Sequence, residues 1–138
     1  MKTNRPILLV EDDEVDAMSV ERALKDINVT NALQMAKDGE AALAHLRQPG
    51  RVLPCLILLD LNMPRMDGIE FLRVFKKDVG LRRIPVIVLT SSSEEQDRAE
   101  SFDLGVAGYM LKPVKYRQFV DVIKTIDMYW TLSELPPD

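Results

Sequence analysis

The sequence predicts an α/β protein, a five-stranded parallel sheet wound in (βα)5 order with a helix after each strand. Three observations predict it. Five short apolar runs alternate with five amphipathic stretches along the chain. Three of the runs, Ile-Leu-Leu-Val, Cys-Leu-Ile-Leu-Leu and Val-Ile-Val-Leu, are apolar without alternation, as strands covered by helices on both faces are. The length of 138 residues and the 46% apolar content suit one packed domain.

The elements follow in order. Strand 1 is Ile7 to Val10, and Val15, Met18, Ala23-Leu24 and Ile27 then recur at helical spacing, with Asp12 or Asp13 as cap. Strand 2 is Ala32 to Ala36, followed by a helix over Glu40 to Leu46 with Leu43 and Leu46 on one side. Strand 3 is Cys55 to Leu59. Asp67-Gly68 opens the next helix, marked by Ile69, Leu72 and Phe75. Strand 4 is Pro85 to Leu89; Ser92-x-x-Glu95 has capping-box form ahead of a helix over Glu94 to Leu104. Strand 5 is Ala107 to Leu111, and Tyr116, Phe119, Ile123, Ile126 and Trp130 line the last helix. Pro49-Gly50-Arg51 and Gly80 to Arg83 read as surface loops, and Thr131 to Asp138 as a short tail.

Composition narrows the function. Eighteen basic against 22 acidic residues leave a net charge of −4, which argues against a nucleic-acid binder. No run of about 18 apolar residues is present to span a membrane, and the N-terminus lacks a secretory apolar stretch. The single cysteine, Cys55, excludes an internal disulfide and reads as a small core residue in a reducing compartment, so a cytoplasmic location is expected. The only histidine, His45, lies on a polar helix face and is not catalytic.

In a doubly wound sheet, ligands bind beyond the carboxyl ends of the strands. Strand 1 ends in Glu11-Asp12-Asp13, strand 3 in Asp60, strand 4 in Thr90-Ser91 and strand 5 in Lys112-Pro113. Packed carboxylates repel one another, and a hard divalent cation such as Mg²⁺ relieves this through oxygen ligands. Asp60, ending the most apolar strand, is a rigidly placed nucleophile. Lys112 supplies a point charge and Thr90 a hydroxyl for two phosphoryl oxygens. Those are the parts phosphoryl transfer needs, with an aspartyl phosphate as product.

Ile-Leu-Leu-Val-Glu-Asp-Asp (7–13), Leu-Leu-Asp-Leu-Asn-Met-Pro-Arg-Met-Asp-Gly (58–68), Val-Ile-Val-Leu-Thr-Ser (86–91) and Tyr-Met-Leu-Lys-Pro-Val (109–114) together resemble the response-regulator receiver domain of two-component signalling. The resemblance covers about residues 5–127 and implies a flavodoxin-like receiver fold, one domain over 1–138 with the helix end and tail at 128–138. It implies Asp60 as phosphoacceptor, with Thr90 and Lys112 contacting the phosphoryl group. Glu11, Asp12, Asp60 and the Asn62 backbone carbonyl would hold Mg²⁺, Asp12 more directly than Glu11. Thr90 and Tyr109 would form the switch, and the Lys112–Pro113 bond would be cis. The donor would be a sensor histidine kinase, and the chain no enzyme beyond its own phosphorylation and dephosphorylation. The loop lengths and the Met128-Tyr129-Trp130-Thr131-Leu132 ending resemble, more narrowly, the stand-alone regulators of bacterial phytochrome kinases.

Rival readings are a flavodoxin-like electron carrier and an aspartate-nucleophile phosphatase. Glu-Asp-Asp after strand 1 would repel a flavin phosphate, and Asn62 stands where the phosphatase needs an acid. A phosphate sink, or a receiver cut from a hybrid kinase, remains the alternative. Asp67 and Ser91 to Ser93 read as helix caps and Lys37 as solvated. Phe102, Tyr109, Val114, Tyr116, Phe119, Tyr129 and Trp130 place aromatic and apolar side chains around helix 4, strand 5 and helix 5. With the tail Leu132 to Pro137 they predict a homodimer through that face.

Overall fold

The computed structural model describes residues 3–132, and the tail beyond Leu132 lies outside the described residues. The elements run β1 (Ile7–Val10), α1 (Glu14–Asp26), β2 (Leu33–Ala36), α2 (Gly39–Leu46), β3 (Leu56–Leu59), α3 (Gly68–Lys77), β4 (Val86–Thr90), α4 (Glu95–Asp103), β5 (Gly108–Leu111) and α5 (Tyr116–Leu132). Every strand pairs in parallel, in the order β2-β1-β3-β4-β5. The predicted (βα)5 order is present, each strand within a residue or two of its expected bounds.

Successive strand residues point to opposite faces. Leu8, Val10, Ile57, Leu59, Val86 and Val88 therefore bury against Leu43 and Leu46 of α2 and Phe71, Leu72 and Phe75 of α3. Ile7, Leu9, Leu56, Leu58, Ile87 and Leu89 bury against Ala17, Val20, Ala23 and Leu24 of α1 and Phe119, Ile123 and Ile126 of α5. Both faces are covered, which is why these strands read as unbroken apolar runs.

Local chemistry sets the helix starts. Asp13 caps α1, its carboxylate accepting the Asp16 N–H. Asp67 and Glu70 form a reciprocal capping box on α3. Gly68 follows because a Cβ there would lie 2.5 Å from the Asp60 carbonyl oxygen and 2.7 Å from Leu61 Cα.

Four expectations are corrected. Val15 and Met18 are exposed, at 71% and 67%, and the small residues Ala17, Val20 and Ala23 make the inward stripe of α1. The Ser92–Glu95 capping box does not form; Glu94 takes the cap position without a side-chain bond, and the Ser92 hydroxyl bonds Asp97 at 2.7 Å instead. The Lys112–Pro113 peptide is trans, an isomer separated from cis by only about 0.5–1 kcal/mol before X–Pro context acts. On α5, Phe119 and Trp130 belong to the core, and Tyr116 turns to α1, where Arg22 stacks 4.1 Å from its ring and its hydroxyl donates to Asp26.

Candidate functional site

Strand order reverses on either side of β1, since β2 and β3 flank it. The crevice at the carboxyl ends of β1 and β3 is thus the topological switch point. Each ladder runs one residue past its strand. Glu11 N–H donates to Ala36 O at 2.9 Å, Asp60 N–H to Val10 O at 3.0 Å, and Lys112 N–H to Thr90 O at 2.8 Å. The backbone under three of the polar residues is therefore fixed by the sheet itself.

Carboxylate oxygens of Glu11, Asp12 and Asp60 lie within 4.8 Å of one another, Glu11 and Asp60 buried and Asp12 exposed. The Lys112 ammonium, itself buried, bonds the Glu11 carboxylate, reaches Asp16 Oδ2 at 2.9 Å, and stands 3.4 Å from Asp60 Oδ2. Asp60 Oδ1 is buried with no hydrogen-bond partner among the described residues. An orphaned anionic oxygen costs about 1–3 kcal/mol or more, and it marks the place where a ligand completes the site. Three converging carboxylates and no soft ligand fit a hard divalent cation.

The electrostatics agree with that crowding. Burial pushes the Glu11 carboxyl up to about 7; the Lys112 hydrogen bond pulls it back, and the Asp60 charge adds to the rise. Burial alone would lower the Lys112 ammonium, but its bonds to Glu11 and Asp16 and the charge of Asp60 outweigh this and hold it above the ordinary lysine range. It stays cationic at any physiological pH.

Thr90 is fully buried at the end of β4, its hydroxyl oxygen accepting the Ser92 N–H at 3.3 Å. Tyr109 is half-buried on β5 and donates its hydroxyl to Ser92 O at 2.8 Å. Burial raises its phenol above the ordinary range. Thr90 and Tyr109 thus meet at one residue, Ser92, in the β4–α4 loop. Asn62 is exposed in the β3–α3 loop, two residues past Asp60.

The structure brings Glu11, Asp12, Asp60 and Lys112 into one pocket and joins Thr90 to it through the β4–β5 ladder. Sequence reasoning missed Asp16, an acid in the first turn of α1 that reads as ordinary dipole chemistry. It also missed Ser92 as the joint between Thr90 and Tyr109. His45, half-buried, has polar neighbours, with Nε2 2.7 Å from Gln34 Oε1.

Residues 7–124 match the response regulator receiver domain family. The chain is 40% identical to response regulator Rcp1 of Synechocystis sp. over 128 residues, covering 90% of this chain and 87% of Rcp1. The crystal structure of the phosphorylated cyanobacterial phytochrome response regulator RcpA superposes with a TM-score of 0.90 at 38% identity, covering 98% of this chain and all of RcpA. The Mn²⁺-bound form of Rcp1 superposes with a TM-score of 0.87, also at 38% identity, over 96% of this chain and 99% of that one. The chain belongs to the response regulator receiver domain family. Members of that family take phosphoryl groups from histidine kinases onto an aspartate and bind a divalent metal at an acidic pocket. These matches favour a response regulator over a phosphate sink. Among the described residues no helix is long and apolar enough to cross a membrane.

Proposed function

We propose that Asp60 is the phosphoacceptor and that the chain works as a single-domain, cytoplasmic regulator over 1–138, signalling by protein contacts. The observation that carries the assignment is the buried, unpartnered Asp60 Oδ1 beside a lysine. A carboxylate oxygen of Asp60 forms the new O–P bond as the P–N bond of a kinase phosphohistidine breaks, and the imidazole nitrogen leaves with the bonding electrons. Lys112, already 3.4 Å from Asp60, turns to a phosphoryl oxygen, and the Thr90 hydroxyl donates to another. Asp12 and Asp60 directly, Glu11 partly through water, and the Asn62 carbonyl are the groups that would hold Mg²⁺, which when bound supplies charge neutralisation beside the carboxylate.

The new charge biases Thr90 and Tyr109 through Ser92, and the face of α4, β5 and α5 carries the output. The likeness to Rcp1 and RcpA, and RcpA's description as a phytochrome response regulator, support a phytochrome-type histidine kinase as donor. The exposed side chains of Phe102, Val114 and Tyr129 around that face support a homodimer as the working form. Incubation with acetyl phosphate and Mg²⁺ should add one phosphoryl group by intact-protein mass, and Asp60→Asn should abolish it. Equal labelling of the variant would overturn the assignment.

A further inference from the structure

The loop joining β3 to α3 leaves directly from Asp60 and carries Asn62. It is fastened at two points. At its far end Gly68 N–H donates to Leu61 O at 3.0 Å. At its middle it is tied to a different part of the sheet, the β2–α2 turn. Gly39 N–H donates to Met66 O at 2.9 Å, so closely that a Cβ on Gly39 would lie 2.6 Å from Met66 Cγ. Beside it, Arg65 Nε donates to Asp38 Oδ2 at 2.8 Å.

The two sides of that pair differ sharply. The Arg65 side chain is 65% exposed, whereas the Asp38 carboxylate is 3% exposed. Asp38 Oδ1 is already used, accepting the Ala41 N–H at 2.8 Å to cap α2. The second oxygen is therefore available to bind across to the loop. Arg65 holds this contact with a left-handed backbone at φ 60°, a conformation that glycine takes freely and a residue with a side chain adopts at a cost. A residue chosen for backbone ease would be glycine; an arginine there implies a role for the guanidinium.

We propose that the Asp38–Arg65 ion pair is a latch that positions the β3–α3 loop, and through it Asp60 and the Asn62 carbonyl, for the divalent cation. Both are positioning residues, since neither joins the cluster of Glu11, Asp12 and Asp60. The inference rests on the metal reading given above and names what holds that site in shape.

Arg65→Gly separates the latch from a stabilising role, because glycine relieves the backbone and leaves the α2 cap intact. The probe is Mn²⁺ alone, titrated by electron paramagnetic resonance, with thermal unfolding recorded without metal. The expected result is a Mn²⁺ Kd weakened about three- to tenfold while the metal-free Tm stays level or rises. Asp38→Asn, which keeps a capping side chain, should weaken Mn²⁺ similarly, and the double variant no further. An unchanged Kd in Arg65→Gly, with wild type binding normally, overturns the latch and leaves the metal site standing. Failure of the wild type to bind Mn²⁺ overturns the metal site and the latch together.

Discussion

The ammonium of Lys112 lies nearer to Asp16 Oδ2, at 2.9 Å, than to Asp60 Oδ2, at 3.4 Å. Asp16 projects from the first turn of α1 and is 38% exposed, so it shares the cation from the solvent side. It also adds a negative charge to the path of an incoming phosphoryl group.

Removing that charge should ease approach. At a partly solvated position one charge is worth roughly 0.5–1 kcal/mol, so Asp16→Asn should label with acetyl phosphate about two- to fivefold faster. The gain should shrink at high ionic strength, where such interactions are screened. Stopped-flow labelling at two salt concentrations checks this, and slower labelling at low salt would count against it.

Metal binding should stabilise the fold. At tenfold excess over Kd the linkage is about 1.4 kcal/mol, which for a domain of this size raises Tm by roughly 4–7 °C. Asp12→Ala and Asp60→Asn should each remove most of that rise, and a chelator should reverse it. Differential scanning calorimetry with and without Mg²⁺ decides; a full rise in both variants excludes the carboxylates as ligands.

Acid stability should depend on Asp38. The Ala41 N–H bond, opposed by burial and aided by Arg65, holds its carboxyl below the ordinary carboxylate range. A depressed folded value gives stability that is present above the unfolded value, about pH 4, and is lost as pH falls through the folded one. Below about pH 4 the wild type should therefore lose urea resistance more steeply than Asp38→Asn. Parallel pH curves for the two proteins would refute the assignment.

The strands and the acids at their ends were legible because burial on both faces leaves an unbroken apolar run whose end is abrupt. Asp60 after Leu-Ile-Leu-Leu is such an end. The phase of α1 was not legible. Val15 and Met18 recur at helical spacing on one face and Ala17, Val20 and Ala23 on the opposite one, and side-chain size favoured Val15 and Met18; packing against α5 selects the smaller side chains. Asp38 and Arg65 stand 27 positions apart in unrelated loops, so no periodicity links them. Tyr116 and Trp130 read as one aromatic stripe, yet one pairs with Arg22 and the other enters the core.

The switch prediction follows from Ser92. Thr90 accepts its N–H and Tyr109 donates to its carbonyl, so motion of either side chain disturbs the backbone of the same residue, through the two peptide units that flank its Cα. A beryllium fluoride mimic should shift the Ser92 amide resonance and the Tyr109 ring resonances together. Tyr109→Phe, which deletes one hydrogen bond worth about 0.5–1.5 kcal/mol, should leave the Ser92 shift but lose its transmission to α4. Independent responses at Ser92 and Tyr109 in the wild type would break the coupling.

The dimer surface must be redrawn from the exposed residues. Phe119 and Trp130 are core, at 4% and 6% exposure, and Tyr116 serves the α1–α5 contact. What remains open on and around α4, β5 and α5 is Phe102, Leu111, Val114, Met128, Tyr129 and Leu132, between 49% and 102% exposed. Exposed aromatic and branched apolar side chains favour association, and a two-fold pairing uses the same surface twice. The Tyr129 ring lies tilted against Trp130, at 44° and 4.8 Å between ring centroids, so one side of it rests on the core and the rest is open to a partner. Tyr129→Glu should therefore shift a micromolar dimer toward monomer in light scattering with little change in Tm. Tyr116→Glu should instead lower Tm, because it breaks the Asp26 bond and the Arg22 stack and sets a carboxylate against Asp26. A monomeric wild type, with and without the phosphate mimic, would defeat the dimer; a dimer unchanged by Tyr129→Glu would move the interface elsewhere.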